Sequence, residues 1–173
     1  FRPGDVCASR KGLQVEIGNT DAEGRLILAD ALALAAEEKP DLLLDFATLT
    51  GAARVALGPD LPPFYTGDDK LAAEIAEIGM AEHDPVWRLP LWEAYDSLLD
   101  SKVADLNNVS SGPFAGSVTA ALFLRRFVEG ATSWVHFDIY GWNPSTKPGR
   151  PEGGETQAAR LLYALLEKRY GQS

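Results

Sequence analysis

Residues 13–26 read Leu13-Gln14-Val15-Glu16-Ile17-Gly18-Asn19-Thr20-Asp21-Ala22-Glu23-Gly24-Arg25-Leu26. The first five alternate apolar and polar, the period of a strand with one wetter face. A Gly-Asn-Thr-Asp corner follows, and then an Ala/Leu-rich run to Glu38 with high helix propensity. Strand, corner and helix are the opening of an α/β fold. Pro40 stops the helix, and Asp41-Leu42-Leu43-Leu44-Asp45-Phe46 reads as a second strand, apolar on both faces at its centre. Strand 13–17, helix 24–38 and strand 42–46 are expected to form a β-α-β unit with parallel strands and a right-handed crossover. The corner Gly18–Asp21 and the loop Ala47-Thr48-Leu49-Thr50-Gly51 then leave the carboxyl ends of two strands, where ligand sites form in open α/β sheets.

Working outward, Val6–Ser9 and Leu13–Ile17 flank Arg10-Lys11-Gly12 and predict a hairpin. The 24–38 run is apolar nearly all round, which predicts a largely buried helix. Leu71, Ile75 and Ile78 mark a helix capped around Asp68-Asp69, and Trp87–Leu91 is expected to be extended. Residues 101–116 and 140–154 are rich in loop-forming residues. A helix over 117–127, a strand over 134–139 and a helix over 155–169 complete the pattern.

The corner also carries the chemistry. Asp21, Glu23 and Arg25 place two carboxylates and a guanidinium within five positions. Thr20-Asp21-Ala22-Glu23 fits a capping box, with Thr20 as N-cap, and acids suit the positive end of a helix. On spacing alone that reading leads, because two acids are an incomplete metal site. The identity of the whole string turns the balance. Asn19-Thr20-Asp21-Ala22-Glu23-Gly24-Arg25-Leu26 resembles the signature of the leucyl (cytosol) aminopeptidases, the two-metal M17 peptidases. Weaker likenesses run along nearly the whole chain: Arg2–Val6, Ala47–Ala52, Trp87–Leu91, Ala104–Asn108, Gly116–Leu124 and His136–Ile139. The segment after Tyr140 departs from the commonest family pattern.

The resemblance implies a three-layer α/β/α sandwich around a mixed sheet. It implies a reaction in which metal-activated water releases an N-terminal, leucine-like residue from a peptide. Asp21 would ligate one divalent cation, Zn²⁺ or Mn²⁺, and Glu23 would bridge two. Arg25 would hold an anion, proposed as bicarbonate, that assists deprotonation of the attacking water. The backbone of Thr48, Leu49 and Gly51 would bind the substrate near its scissile amide. A homohexamer in the cytoplasm, acting on peptides with a free N-terminus, is the expected setting. The family's remaining metal ligands, a lysine and two aspartates, and a further catalytic lysine lie upstream of the region matched by Phe1. Residues 1–173 are therefore expected to be the C-terminal part of one catalytic domain, inactive by itself. Rival readings are a folding or assembly module without activity, and a homologue that has lost its ligands. Phe1 opens the chain and Met80 is its only methionine, so the sequence reads as the interior of a larger protein.

Bulk properties narrow the field. The 173 residues carry 16 basic and 25 acidic groups, a net charge of −9, which disfavours nonspecific binding to nucleic acid or anionic membranes. Cys7 is the only cysteine, so no intrachain disulfide forms. No apolar run reaches the length of a membrane span. His83 and His136 lie too far apart in sequence to suggest a shared zinc site, and both are expected to be structural, as are Asp105 and Asp138. Trp87, Trp92, Trp134 and Trp142 are expected in the core or at an interface.

Overall fold

The computed structural model describes residues 1–171. In chain order the elements are β1 (Val6–Ala8), β2 (Gln14–Glu16), α1 (Glu23–Glu37), β3 (Leu42–Ala47), α2 (Gly51–Leu57), β4 (Pro63–Tyr65), α3 (Asp69–Ala81) and β5 (Trp87–Arg88). A 3₁₀ segment (Glu93–Leu99) follows, then β6 (Leu106–Asn107), α4 (Gly116–Arg125), β7 (Ser133–Asp138), β8 (Trp142–Asn143), β9 (Gly153–Gly154) and α5 (Ala159–Tyr170).

The main sheet has the order β3-β7-β4-β5 and is mixed. β3 runs parallel to β7, β4 antiparallel to β7, and β5 parallel to β4. The period-two alternation of β7 sorts its side chains onto two faces. Trp134 joins a core with Ala29, Leu32, Leu122, Phe123 and Phe127 from α1, α4 and the turn after α4. Val135 and Phe137 join a second core with Leu71, Ile75, Leu161 and Leu165 from α3 and α5. Helices thus cover both faces of the sheet, the three-layer α/β arrangement anticipated from the sequence.

The hairpin forms as expected, with β1 antiparallel to β2 and Gly12 at φ +92° in its turn. The partner of β2 is a correction. It pairs in parallel with β6 in a separate three-stranded sheet, not with β3. β2 already has β1 on one side and β6 on the other, so both edges are satisfied without β3. Close packing reinforces that choice: a side chain at Gly18 would collide with the Asn107 carboxamide and with Val109. β3 is itself an edge strand, with Leu42, Leu43 and Leu44 half-buried, where a strand buried on both faces was expected.

α1 is likewise less covered than its composition predicts. Ala29, Leu32, Ala33 and Ala36 are buried, whereas Ile27 is 69% and Leu34 50% exposed. Its buried face packs with α4, with Trp134 of β7 and with Val15 of β2, and its outer face has no described neighbour to cover Ile27 and Leu34. Of the four tryptophans only Trp134 enters the core; Trp87, Trp92 and Trp142 are exposed. The 140–154 segment contains the small β8–β9 hairpin, and α5 begins at Ala159 rather than 155. Among the described residues no helix is long and apolar enough to cross a membrane.

Candidate functional site

The corner after β2 is shaped from a distance. Asn108, fully buried just beyond β6, accepts hydrogen bonds through Oδ1 from the amides of Gly18 (2.9 Å) and Asn19 (3.2 Å). Its Nδ2 donates to the carbonyls of Asn19 (2.8 Å) and Ala22 (3.4 Å). One carboxamide thereby ties together four backbone groups of the corner, two amides and two carbonyls. Within the corner, the Asp21 amide donates to Asn19 Oδ1 at 2.9 Å.

This geometry removes the capping-box alternative. α1 begins at Glu23, its N-cap is Ala22, and no side chain caps it. Asp21 and Glu23 are both exposed. Neither carboxylate accepts a hydrogen bond from a described residue, so both keep all their oxygen lone pairs for an outside cation. Such a donor pair suits a hard or borderline divalent ion. Among the described residues no three Asp, Glu, His or Cys side chains cluster as metal ligands.

Arg25, in the first turn of α1, is buried at 9% exposure, and its Nη1 donates to the Asn108 main-chain oxygen at 2.7 Å. That is its only hydrogen bond among the described residues. Burial pulls the guanidinium below its usual pKa, and the nearby Asp138 carboxylate opposes the shift. A cation held in a partly dry setting, with most of its fork uncommitted, is a strong anion site.

The second wall is the loop after β3. Asp138, the last residue of β7, is buried and accepts four hydrogen bonds. They come from the amides of Leu49 and Thr50 (both 3.0 Å), from Thr50 Oγ1 (2.6 Å) and from Ser117 Oγ (2.8 Å). The buried Tyr65 hydroxyl donates in turn to Ser117 Oγ at 2.7 Å. Burial, partly offset by that bond, pushes the Tyr65 phenol well above its usual pKa, so it stays a neutral donor. Thr50 Oγ1 also accepts from the Ala53 amide and caps α2. Because Asp138 occupies the Leu49 amide, a ligand at Leu49 would find its carbonyl rather than its N–H.

The two walls meet. A cleft of about 580 Å³ is lined by Asn19, Asp21, Glu23, Arg25, Thr48–Gly51 and Arg54. The corner and the loop thus converge although their strands belong to different sheets. All six sequence candidates, Asp21, Glu23, Arg25, Thr48, Leu49 and Gly51, line this one cleft. A larger hollow of about 840 Å³ lies by the other end of β7, between Arg88, Glu93 and Arg125. It contains none of the candidates, and its arginines are committed to Asp69 (2.8 Å) and Asp96 (2.6 Å).

Sequence reasoning placed Asp138 and Asp105 as structural, and so they are: Asp105 accepts from the Gln14 amide at 2.7 Å. It did not identify Asn108 as the organiser of the corner. The available signal was a pair of asparagines after a short extended run in a Ser/Gly-rich stretch. His136 is structural too, buried with Nδ1 2.6 Å from Asp45 Oδ1.

Comparison with known proteins identifies the family. Residues 1–163 match the family model described as cytosol aminopeptidase family, catalytic domain. A probable cytosol aminopeptidase of Chlorobium phaeobacteroides is 51% identical over 169 residues, 96% of this chain and 33% of that protein. One from Caulobacter vibrioides is 44% identical over 173 residues, 98% of this chain and 35% of that protein. The crystal structure of cytosol aminopeptidase from Coxiella burnetii superposes with a TM-score of 0.94 at 52% identity, covering 98% of this chain and 37% of that one. The chain therefore spans about a third of the length of the curated relatives it matches.

Proposed function

The chain belongs to the cytosol aminopeptidase family, and from that premise we propose that its cleft is part of the active site of a two-metal aminopeptidase that releases N-terminal, leucine-like residues from peptides. The observation that carries this reading is the convergence on one cleft of two uncommitted carboxylates, a buried arginine and a pinned backbone loop.

Asp21 and Glu23 would hold the divalent cations, zinc or manganese, with Glu23 serving both. Bound there, such ions supply Lewis-acid polarisation of the scissile carbonyl and lower the pKa of water. Arg25 holds a small anion, bicarbonate in this proposal, beside the reacting groups, and its planar fork orients that anion for proton transfer. Thr48, Leu49 and Gly51 present backbone groups to the peptide. Asp138 fixes their loop in advance, so little ordering entropy is lost when substrate arrives. Peptides with a free N-terminus as substrates, a hexameric assembly and a cytoplasmic location complete the reading by family resemblance alone.

Two carboxylates are too few for a pair of ions. The same proposal therefore includes that residues 1–173 by themselves bind metal weakly and do not turn over, as the C-terminal part of a larger catalytic domain.

Glu23→Gln in the intact natural protein tests the assignment. A neutral amide bridges two cations poorly. The expected outcome is loss of metal and of turnover on leucine amide, with an unchanged circular dichroism spectrum. Near-normal activity in that variant would sink the proposal.

A further inference from the structure

Arg54 lines the same cleft as Asp21, Glu23 and Arg25, and no role assigned so far uses it. It projects from α2, immediately beyond the loop that would hold the substrate. Its guanidinium carbon sits 4.8 Å from the centre of the Tyr140 ring. Its Nη1 is 3.4 Å from the Thr50 carbonyl, a long contact and the guanidinium's only hydrogen bond among the described residues. A Cβ at Gly51 would stand 3.7 Å from Nη2, so the guanidinium rests against the Gly51 backbone. On the other side, the turn after Tyr140 packs on the loop: a Cβ at Gly141 would meet the Thr48 methyl at 3.5 Å. Arg54 therefore spans the gap between Tyr140 and the loop residues nearest the substrate.

Its charge is uncompensated. No carboxylate of a described residue pairs with it, and the residue is only half-buried. An aromatic face steers a guanidinium and leaves the edges of its fork open. Those edges carry parallel N–H groups, the arrangement that takes a carboxylate in two hydrogen bonds. Arg25 does not duplicate this role, because it is buried and anchored to Asn108.

We propose that Arg54 is a specificity-determining residue that receives a substrate carboxylate, giving the enzyme a preference for peptides with a free carboxylate close to the scissile bond. The proposal rests on the aminopeptidase reading and names its substrate class. Two sources present that chemistry: the C-terminal carboxylate of a dipeptide, and an acidic side chain on the N-terminal residue.

The test uses the intact metal-loaded protein and two matched substrate pairs. Leu-Gly against Leu-Gly-amide reads the terminal carboxylate. Glutamic acid α-amide against glutamine α-amide reads the side chain. In at least one pair, the charged member is expected to be favoured through KM. Arg54→Met is expected to cut that preference, as a ratio of kcat/KM values, by about tenfold or more, and Arg54→Lys to restore part of it. The pair that responds identifies the source of the carboxylate. Equal ratios in wild type and Arg54→Met for both pairs would overturn the proposal. Failure of the wild type to hydrolyse any of the four would overturn the aminopeptidase reading instead. In that case calorimetric binding of the same pairs decides about Arg54. Carboxylate-dependent affinity lost in Arg54→Met supports the site, and affinity indifferent to the carboxylate or to the substitution removes it.

Discussion

The main-chain oxygen of Asn108 holds the Arg25 guanidinium at 2.7 Å while the Asn108 side chain holds the backbone of Gly18 and Asn19. The residue that shapes the acidic corner is thus the one that sets the position of the cation beside it. Carboxylates and arginine keep a fixed relation because one buried residue governs both.

Replacing Asn108 with alanine should therefore damage site and stability together. Two backbone amides and two carbonyls lose their partner in a part-buried setting, where a group costs up to about 1–3 kcal/mol only if water cannot reach it. Water entering the space reduces the total. The expected result is a lower thermal midpoint and a marked fall in turnover in the intact protein. Retention of both would show that the corner holds its shape without this clasp.

Arg25→Ala is expected to separate metal binding from catalysis. An anion-orienting group acts on proton transfer, an effect of about 10²–10⁴-fold in kcat. Metal content, measured by elemental analysis, should stay at the wild-type level. Parallel loss of metal and activity would make Arg25 a support for the carboxylates instead.

Acid sensitivity should depend in part on Asp68. Its carboxylate caps α3 by accepting from the Leu71 amide at 3.0 Å, and it also accepts from Ser133 Oγ at 2.8 Å. The Leu71 bond first, and the Ser133 bond second, hold its carboxyl below the usual range. A folded pKa below the unfolded one contributes stability that is complete above the unfolded value, about 3.9, and is lost as pH falls through the folded value. Asp68→Ala should cost about 1 kcal/mol near neutral pH. The gap between wild type and variant in urea denaturation should close below about pH 4. A gap that persists undiminished into strong acid would mean the cap acts without its charge.

For residues 1–173 prepared alone, weak metal binding and self-association are expected. Ile27 and Leu34 expose apolar surface on α1, and β3 presents an unpaired edge. Titration calorimetry with Zn²⁺ and Mn²⁺, beside light scattering, checks both. Tight binding of two ions per chain would mean that these residues hold a complete ligand set.

Local patterning was enough to locate most elements, because hairpin, strand and helix periodicities are written in neighbouring residues. Strand partnership was not legible. β2 pairs with β6, whose two residues, Leu106 and Asn107, leave no periodic trace in a loop-rich stretch. Helix starts were obscured where the cap comes from afar. Asp84 accepts from the amides of Ala158, Arg160 and Leu161 and so fixes the beginning of α5 from 74 to 77 positions away. The burial of α1 was overestimated because composition reports how apolar a surface is, and the neighbours decide whether it is covered. The six site candidates were legible because they sit in two short strings, each at the end of a strand. Asn108 and Arg54 lie outside those strings; the asparagine pair 107–108 is a faint local signal, and the neighbours of Arg54 give none.

The bond from the Gly18 amide to Asn108 Oδ1 joins residues 90 positions apart. During synthesis the acidic corner leaves the ribosome well before the side chain that clasps it, which emerges only after α1, α2 and α3. Until then the corner lacks that clasp, and Arg25 lacks the Asn108 carbonyl that seats it. The acidic corner thus takes its final shape only once residue 108 has followed it, and the facing loop waits longer still, for Asp138.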